Sequence, residues 1–329
     1  MLYGGAAQLR RAWYERVPAR SRSLTQPVIS VGNLVVGGSG KTPVVAAIAR
    51  LLVEKGERPS ILSRGYGRRV HDDGVVVVST PEGVLEPTAR SGDEPQMLAR
   101  GLPGVPVIVS PDRYLAGALA ERRFGCTVHI LDDGYQHLQL RRDIDLLLVS
   151  KGDLDEKVLP SGRLREPLAA ARAADALLVT GEDDDVEEVA ASLGKDVAFL
   201  VVPQFGEARA VYPGGGAGVP TGRRAVAVAG IARPERFFAT ARAEGWEVVR
   251  ELPYRDHHWF DARDIERIRS AASEEHADVI LTTEKDAMRL VERPVSAPPV
   301  WMYLPMQVVI ESATAFRAWL GERLAACRA

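Results

Sequence analysis

The sequence predicts an α/β fold, a P-loop NTPase-type parallel sheet flanked by helices, with a second, smaller α/β domain. Three observations predict it. Short apolar runs alternate with stretches of helical periodicity. The glycine-rich string "VVGGSGKTP" (35–43) stands between an apolar run and a helical one. The stretch richest in glycine and proline, "VYPGGGAGVPTG" (211–222), separates one alternating series from another.

In order, "PVISVGNL" (27–34) reads as a buried strand and "KTPVVAAIARLLVEKG" (41–56) as a helix, with Pro43 in its first turn and Gly56 as its stop. Strands are expected at 59–63, 74–79, 105–109, 127–132, 144–149, 175–180 and 197–202, and helices near 93–100 and 111–123. Beyond the break come strand, helix, strand, helix and strand at 224–231, 234–245, 246–252, 261–276 and 277–283. "PVWMYLP" and a helix from Ser312 close the chain. The expected divisions are an amphipathic helix in 1–24, a P-loop domain at 25–210, a linker at 211–222 and a smaller domain at 223–329, its last helix packing back.

A chain of 329 residues suits two cores. Its 46% apolar and 26% charged residues exclude a disordered chain. A net charge of −2 gives no case for a nucleic-acid partner, and no protein partner is evident. Cys126 and Cys327 match no zinc or redox spacing, so a reducing compartment is the simple reading. No run is long enough to span a bilayer. At the amino terminus, Leu2, Ala6, Leu9, Trp13 and Val17 form one helical stripe, among Arg10, Arg11, Arg16, Arg20 and Arg22 against Glu15 alone. That pattern suits a membrane-interface helix, or equally a first helix docked on the core.

The chemistry sits in the glycine loop. Val35, Val36, Gly37, Gly38, Ser39 and Gly40 form an ATP-binding turn, Lys41 reaches the β- and γ-phosphates, and Thr42 reaches Mg²⁺. Val35 stands where the usual pattern has glycine, and Gly32 is a candidate to absorb part of the turn. "CTVHILDDGYQH" supplies Asp132 and Asp133 at a strand's carboxyl end, as a metal partner requires. Three classes remain: a small-molecule or lipid kinase, a GTPase, and an ATP-driven maturation or partitioning factor. "TTEKDA" (282–287) lacks the aspartate a guanine reader needs after Lys285, and the loop lacks a second early lysine. A kinase is favoured; a P-loop kinase or ATPase acting on a soluble substrate is the alternative.

Several strings occur together: "SVGNLVVGGSGKTP" (30–43), "LSRGYGR" (62–68), "SGDEPQMLA" (91–99), "LDDGYQH" (131–137), "GRLREP" (162–167), "DHH" (256–258) and "TTEKDA". In this order they resemble the tetraacyldisaccharide 4′-kinases, the lipid A 4′-kinases of Gram-negative bacteria. The resemblance covers most of the chain and includes the nonglycine position at Val35. It implies transfer of the γ-phosphoryl of ATP, with Mg²⁺, to the 4′-hydroxyl of an acylated disaccharide 1-phosphate. It also implies a peripheral protein at the cytoplasmic face of the inner membrane, held by its first helix. Asp93 and His257 then match a catalytic dyad formed between the domains, His258 ranking second. Thr42, Asp132, Asp133 and Glu166 match a metal shell. Arg64 and Arg113 suit phosphate contacts or, alternatively, ion pairs at strand ends. Asn33, Tyr66, Gln136 and His137 are candidates for the disaccharide head; Glu284 and Lys285 receive no role.

Overall fold

The computed structural model describes residues 2–38, 40–70, 74–212, 222–292 and 299–329. Ser39 of the expected ATP loop, 213–221 of the expected linker and the side chain of Leu2 lie outside the described residues.

The described residues form two sheets. From edge to edge, the larger runs Met306–Ile310, Ala198–Phe205, Ala176–Thr180, Ile144–Ser150, Val28–Asn33, Val128–Asp132, Pro59–Ser63, Val107–Val109, Val76–Thr80 and Gly83–Val84. All pairings from Ala198–Phe205 across to Val107–Val109 are parallel, and the outer ones are antiparallel. Both faces of the parallel region are covered, which is why Val28–Asn33 is buried throughout. On one face lies the helix Lys41–Glu54, packing Val44, Val45, Ile48 and Leu52 with Leu98 of Asp93–Gly101 and Phe316, Leu320 and Leu324 of Ala313–Arg328. The other face is covered by Ala116 and Ala120 of Arg113–Phe124 and by Val189 and Leu193 of Asp183–Leu193. The ends of Arg113–Phe124 follow from its sequence. Asp112 caps the free N–H groups of Tyr114 and Leu115, and Gly125 stops the helix at φ 59°.

The smaller sheet runs Arg209–Ala210, Val300–Leu304, Val279–Thr283, Arg224–Ala229 and Glu247–Pro253, parallel except at the first pairing. Ala262–Glu274 and Glu284–Leu290 pack on one face with Phe260 and Trp301, and Pro234–Ala243 packs on the other.

The chain passes between the sheets twice, at 206–208 and at Pro305, where Gly206 N donates to Pro305 O at 3.0 Å. The first passage therefore precedes the expected 211–222 linker. Arg209–Ala210 already pairs with Val300–Leu304, and Val211 lies in the smaller core. The second passage returns residues 306–328 to the larger sheet, as their pairing with Ala198–Phe205 and their core contacts require.

Candidate active site

The strand Val28–Asn33 is central, and its carboxyl end delivers the glycine loop. Val35 makes an antiparallel bridge to Leu164, Val36 N donates to Arg163 O, and Arg165 N donates to Leu34 O. This short ribbon buries Val35 among Leu34, Tyr135, Leu147 and Leu164. A glycine there would lose that packing, which accounts for the departure from the usual loop. Gly37 and Gly40 follow at φ 103° and 82°, conformations that exclude most side chains. Gly40 starts the helix Lys41–Glu54 without any side-chain cap, and the space before Gly37, Gly38 and Gly40 is open. Uncapped N–H groups, the positive end of a helix and open space together form an anion cradle. Gly32 is not part of the turn. It sits in the strand, where an added Cβ would stand 2.5 Å from that of Tyr135.

Lys41 Nζ donates to Asn33 Oδ1 at 3.0 Å and pairs with Asp133 at 3.4 Å. Arg165 Nη1 takes the Asp133 carboxylate at 2.8 Å and donates to Gln136 Oε1, while Gln136 Nε2 donates to Asn33 O. Among the described residues no acceptor meets the buried Asn33 Nδ2, a costly state that a ligand oxygen would relieve. Asp133 holds φ 55°, a strained value for a residue other than glycine, costing about 1–2 kcal/mol. Burial, with Glu94 and Asp133 nearby, pushes the Asp132 carboxyl up to about 7; Ser63 Oγ donates to it at 3.2 Å. The neighbouring Asp133 is pulled the other way: Lys41 and Arg165 outweigh its burial and lower its pKa. Adjacent carboxylates, one under-compensated, fit a divalent cation. Among the described residues no group of three or more His, Cys, Asp or Glu is arranged to hold a metal ion, so a magnesium beside this pair would take further ligands from a hydroxyl, water and phosphate.

Arg113 is buried, and desolvation together with Arg64 brings its guanidinium down to about 10. Two cations in mutual repulsion beside this loop favour an anion. Desolvation, reinforced by Arg113 and Arg142, likewise brings His137 to about 3. Tyr66 stands 67% exposed, and its ring meets that of His257 edge-on at 5.0 Å.

Asp93 begins the helix Asp93–Gly101 on the larger unit, and His257 follows the strand Glu247–Pro253 on the smaller. The structure brings them together: His257 Nδ1 lies 3.0 Å from Asp93 Oδ2. Desolvation opposes ionisation of Asp93, yet its hydrogen bond to His257 and the charges of Lys285 and Arg289 lower its pKa overall. His257 is held at φ 57°, and Gly67 lies so close that a Cβ there would stand 2.6 Å from Nδ1. His258 faces away, with Nε2 2.7 Å from Asp264. Lys285 and Arg289 were not assigned from sequence. Lys285 Nζ reaches His257 Nε2 at 3.1 Å, and Arg289 Nε lies 3.7 Å from Asp93.

Glu166 departs from the expected metal shell. Both its oxygens are engaged by the Arg11 guanidinium, at 2.7 and 3.0 Å, and Arg11 also donates to Tyr135 O. The amino-terminal helix Leu2–Glu15 is thus anchored by a buried charge, while Leu9, Trp13 and Val17 face outwards at 73%, 49% and 39% exposure. Ala6, Leu9, Trp13 and Val17 of the apolar stripe are exposed and do not dock this helix on the core. No described helix is long and apolar enough to cross a membrane.

A glycine turn opening a helix, paired acids at the next strand's end and an Asp–His pair nearby define a kinase of the parallel α/β class. The family model for tetraacyldisaccharide-1-P 4′-kinases matches residues 1–325. Tetraacyldisaccharide 4′-kinases are 39% identical in Geobacter sulfurreducens, over 91% of this chain and 85% of that one, and 42% in Bradyrhizobium diazoefficiens, over 85% and 80%. The crystal structure of LpxK from Aquifex aeolicus in complex with ATP superposes with a TM-score of 0.79 at 32% identity, covering 98% of this chain and 96% of that one. The chain belongs to the tetraacyldisaccharide 4′-kinase family, ATP-dependent kinases of lipid A synthesis.

Proposed function

We propose that this chain transfers the γ-phosphoryl of ATP to the 4′-hydroxyl of an acylated glucosamine disaccharide 1-phosphate, with the Asp93–His257 pair as general base. The observation that carries the proposal is the 3.0 Å contact of His257 Nδ1 with Asp93, made between elements of two sheets. Asp93 keeps the Nδ1 proton, which leaves His257 Nε2 to take the hydroxyl proton as the oxygen attacks phosphorus. Val35–Gly40 and Lys41 hold the phosphate chain, and the Asn33 amide offers a further donor. Thr42, Asp132 and Asp133 would hold Mg²⁺, which when bound offsets charge on the phosphates. Arg64 and Arg113 would add cationic contacts to the transferring group, and Tyr66, Gln136 and His137 are the candidates to contact the disaccharide head. Glu166 instead serves the first helix.

The exposed Leu9, Trp13 and Val17 with the neighbouring arginines suit a peripheral position on the cytoplasmic face of the inner membrane. The test is a kinase assay with ATP, Mg²⁺ and the acylated disaccharide 1-phosphate in detergent. The 4′-phosphorylated lipid is the expected product; no turnover where a reference enzyme works, or equal turnover on a deacylated soluble acceptor, would overturn the reading.

A further inference from the structure

His257 meets Asp93 through Nδ1, and its second ring nitrogen, Nε2, has a neighbour of its own. Lys285, in the first turn of the helix Glu284–Leu290, places Nζ 3.1 Å from His257 Nε2. The same ammonium lies 3.3 Å from Glu94 and 3.7 Å from Asp256, and Asp256 itself lies 3.8 Å from Nε2. An ammonium has three donors and no acceptor, so at this distance it can only donate to a ring nitrogen that carries a lone pair.

We propose that Lys285 is a positioning residue for the base: its ammonium fixes the His257 tautomer with the proton on Nδ1 and the lone pair on Nε2, and it stands where the acceptor hydroxyl must come. The inference rests on His257 being the base. Without Lys285 the ring would lie between two carboxylates, Asp93 at Nδ1 and Asp256 near Nε2, each favouring a proton on its own side. The ammonium cancels the pull of Asp256 and leaves Asp93 to decide. Burial disfavours the charge on Lys285, but Asp93, Glu94 and Asp256 outweigh it and its pKa is raised. When the hydroxyl arrives, the ammonium keeps all its protons and moves onto Glu94 and Asp256. The hydroxyl proton then passes to Nε2, the oxygen bonds to the γ-phosphorus, the bond to the β-phosphate oxygen breaks, and ADP leaves. The imidazolium afterwards returns its proton to solvent.

The experiment is ¹⁵N spectroscopy of the histidine-labelled full chain at pH 8.5, with no substrate, alongside steady-state kinetics. Wild-type His257 should show a protonated Nδ1 and an unprotonated Nε2. Lys285→Met should mix or reverse these signals and lower kcat about ten-fold or more, with KM for ATP within about two-fold; Lys285→Arg should restore most of both. A protonated Nε2 in the wild type, or His257 signals unchanged in Lys285→Met, would overturn the proposal. The wild-type spectrum decides even if the methionine variant does not fold. The expected spectrum in a protein that fails to phosphorylate the lipid would support the tautomer assignment and remove the base reading instead.

Discussion

The carboxylate of Asp93 is 2% exposed, yet one imidazole and two nearby cations keep it ionised. Losing such a base arrangement commonly costs a factor of about 10²–10⁴, so Asp93→Asn and His257→Ala should each lower kcat on that scale. Steady-state rates with the lipid acceptor check this, and near-normal rates in both variants would refute the dyad. Gly67 offers a subtler probe, since its φ of 78° and its contact with His257 both exclude a side chain. Gly67→Ala should lower kcat about ten-fold or more while ATP binding, measured by calorimetry, stays near normal. His137 gives a pH signature with a definite sign. Its folded pKa lies at about 3, below the ordinary histidine value of about 6.5, so acid protonates the unfolded chain first. Its contribution is present above about pH 6.5 and is lost as pH falls towards 3. Thermal unfolding across that window should show a falling midpoint, with a shallower fall in His137→Gln.

Among the elements, the first helix is held by a charge rather than by its apolar stripe. Arg11 and Glu166 are both buried, and removing one partner of such a pair costs roughly 3–5 kcal/mol. Arg11→Met should therefore speed amide exchange across Leu2–Glu15, whereas Trp13→Glu should leave exchange unchanged and weaken co-sedimentation with anionic vesicles. A loss of vesicle binding in neither variant would reject the membrane role. The helices and strands around the glycine loop were legible because their signals are local: an apolar run, turn glycines, a helical period. The Arg11–Glu166 and Lys285–His257 partnerships were not. Each joins side chains far apart in sequence, and no periodicity encodes which cation meets which acid. "GRLREP" was recognisable as a string, but Arg165 and Glu166 point to different partners, Asp133 and Arg11.

On the scale of the whole molecule, the division between sheets was only half legible. The glycine-rich stretch drew attention to 211–222, but the passages lie at 206–208 and Pro305, because strand pairing across about a hundred residues decides them. The units also meet beside the dyad, where Thr88 Oγ1 donates to Met288 O at 2.6 Å and Thr88 N donates to Glu292. Thr88→Val removes one such bond, about 1 kcal/mol, and should lower kcat roughly five-fold with little change in KM for ATP. The two passages run side by side, tied by Gly206 and Pro305. Twin straps of this kind bend readily about one line and resist twisting. A bend about that line would change the separation of Asp93 and His257, which stand on different units and lie 3.0 Å apart here.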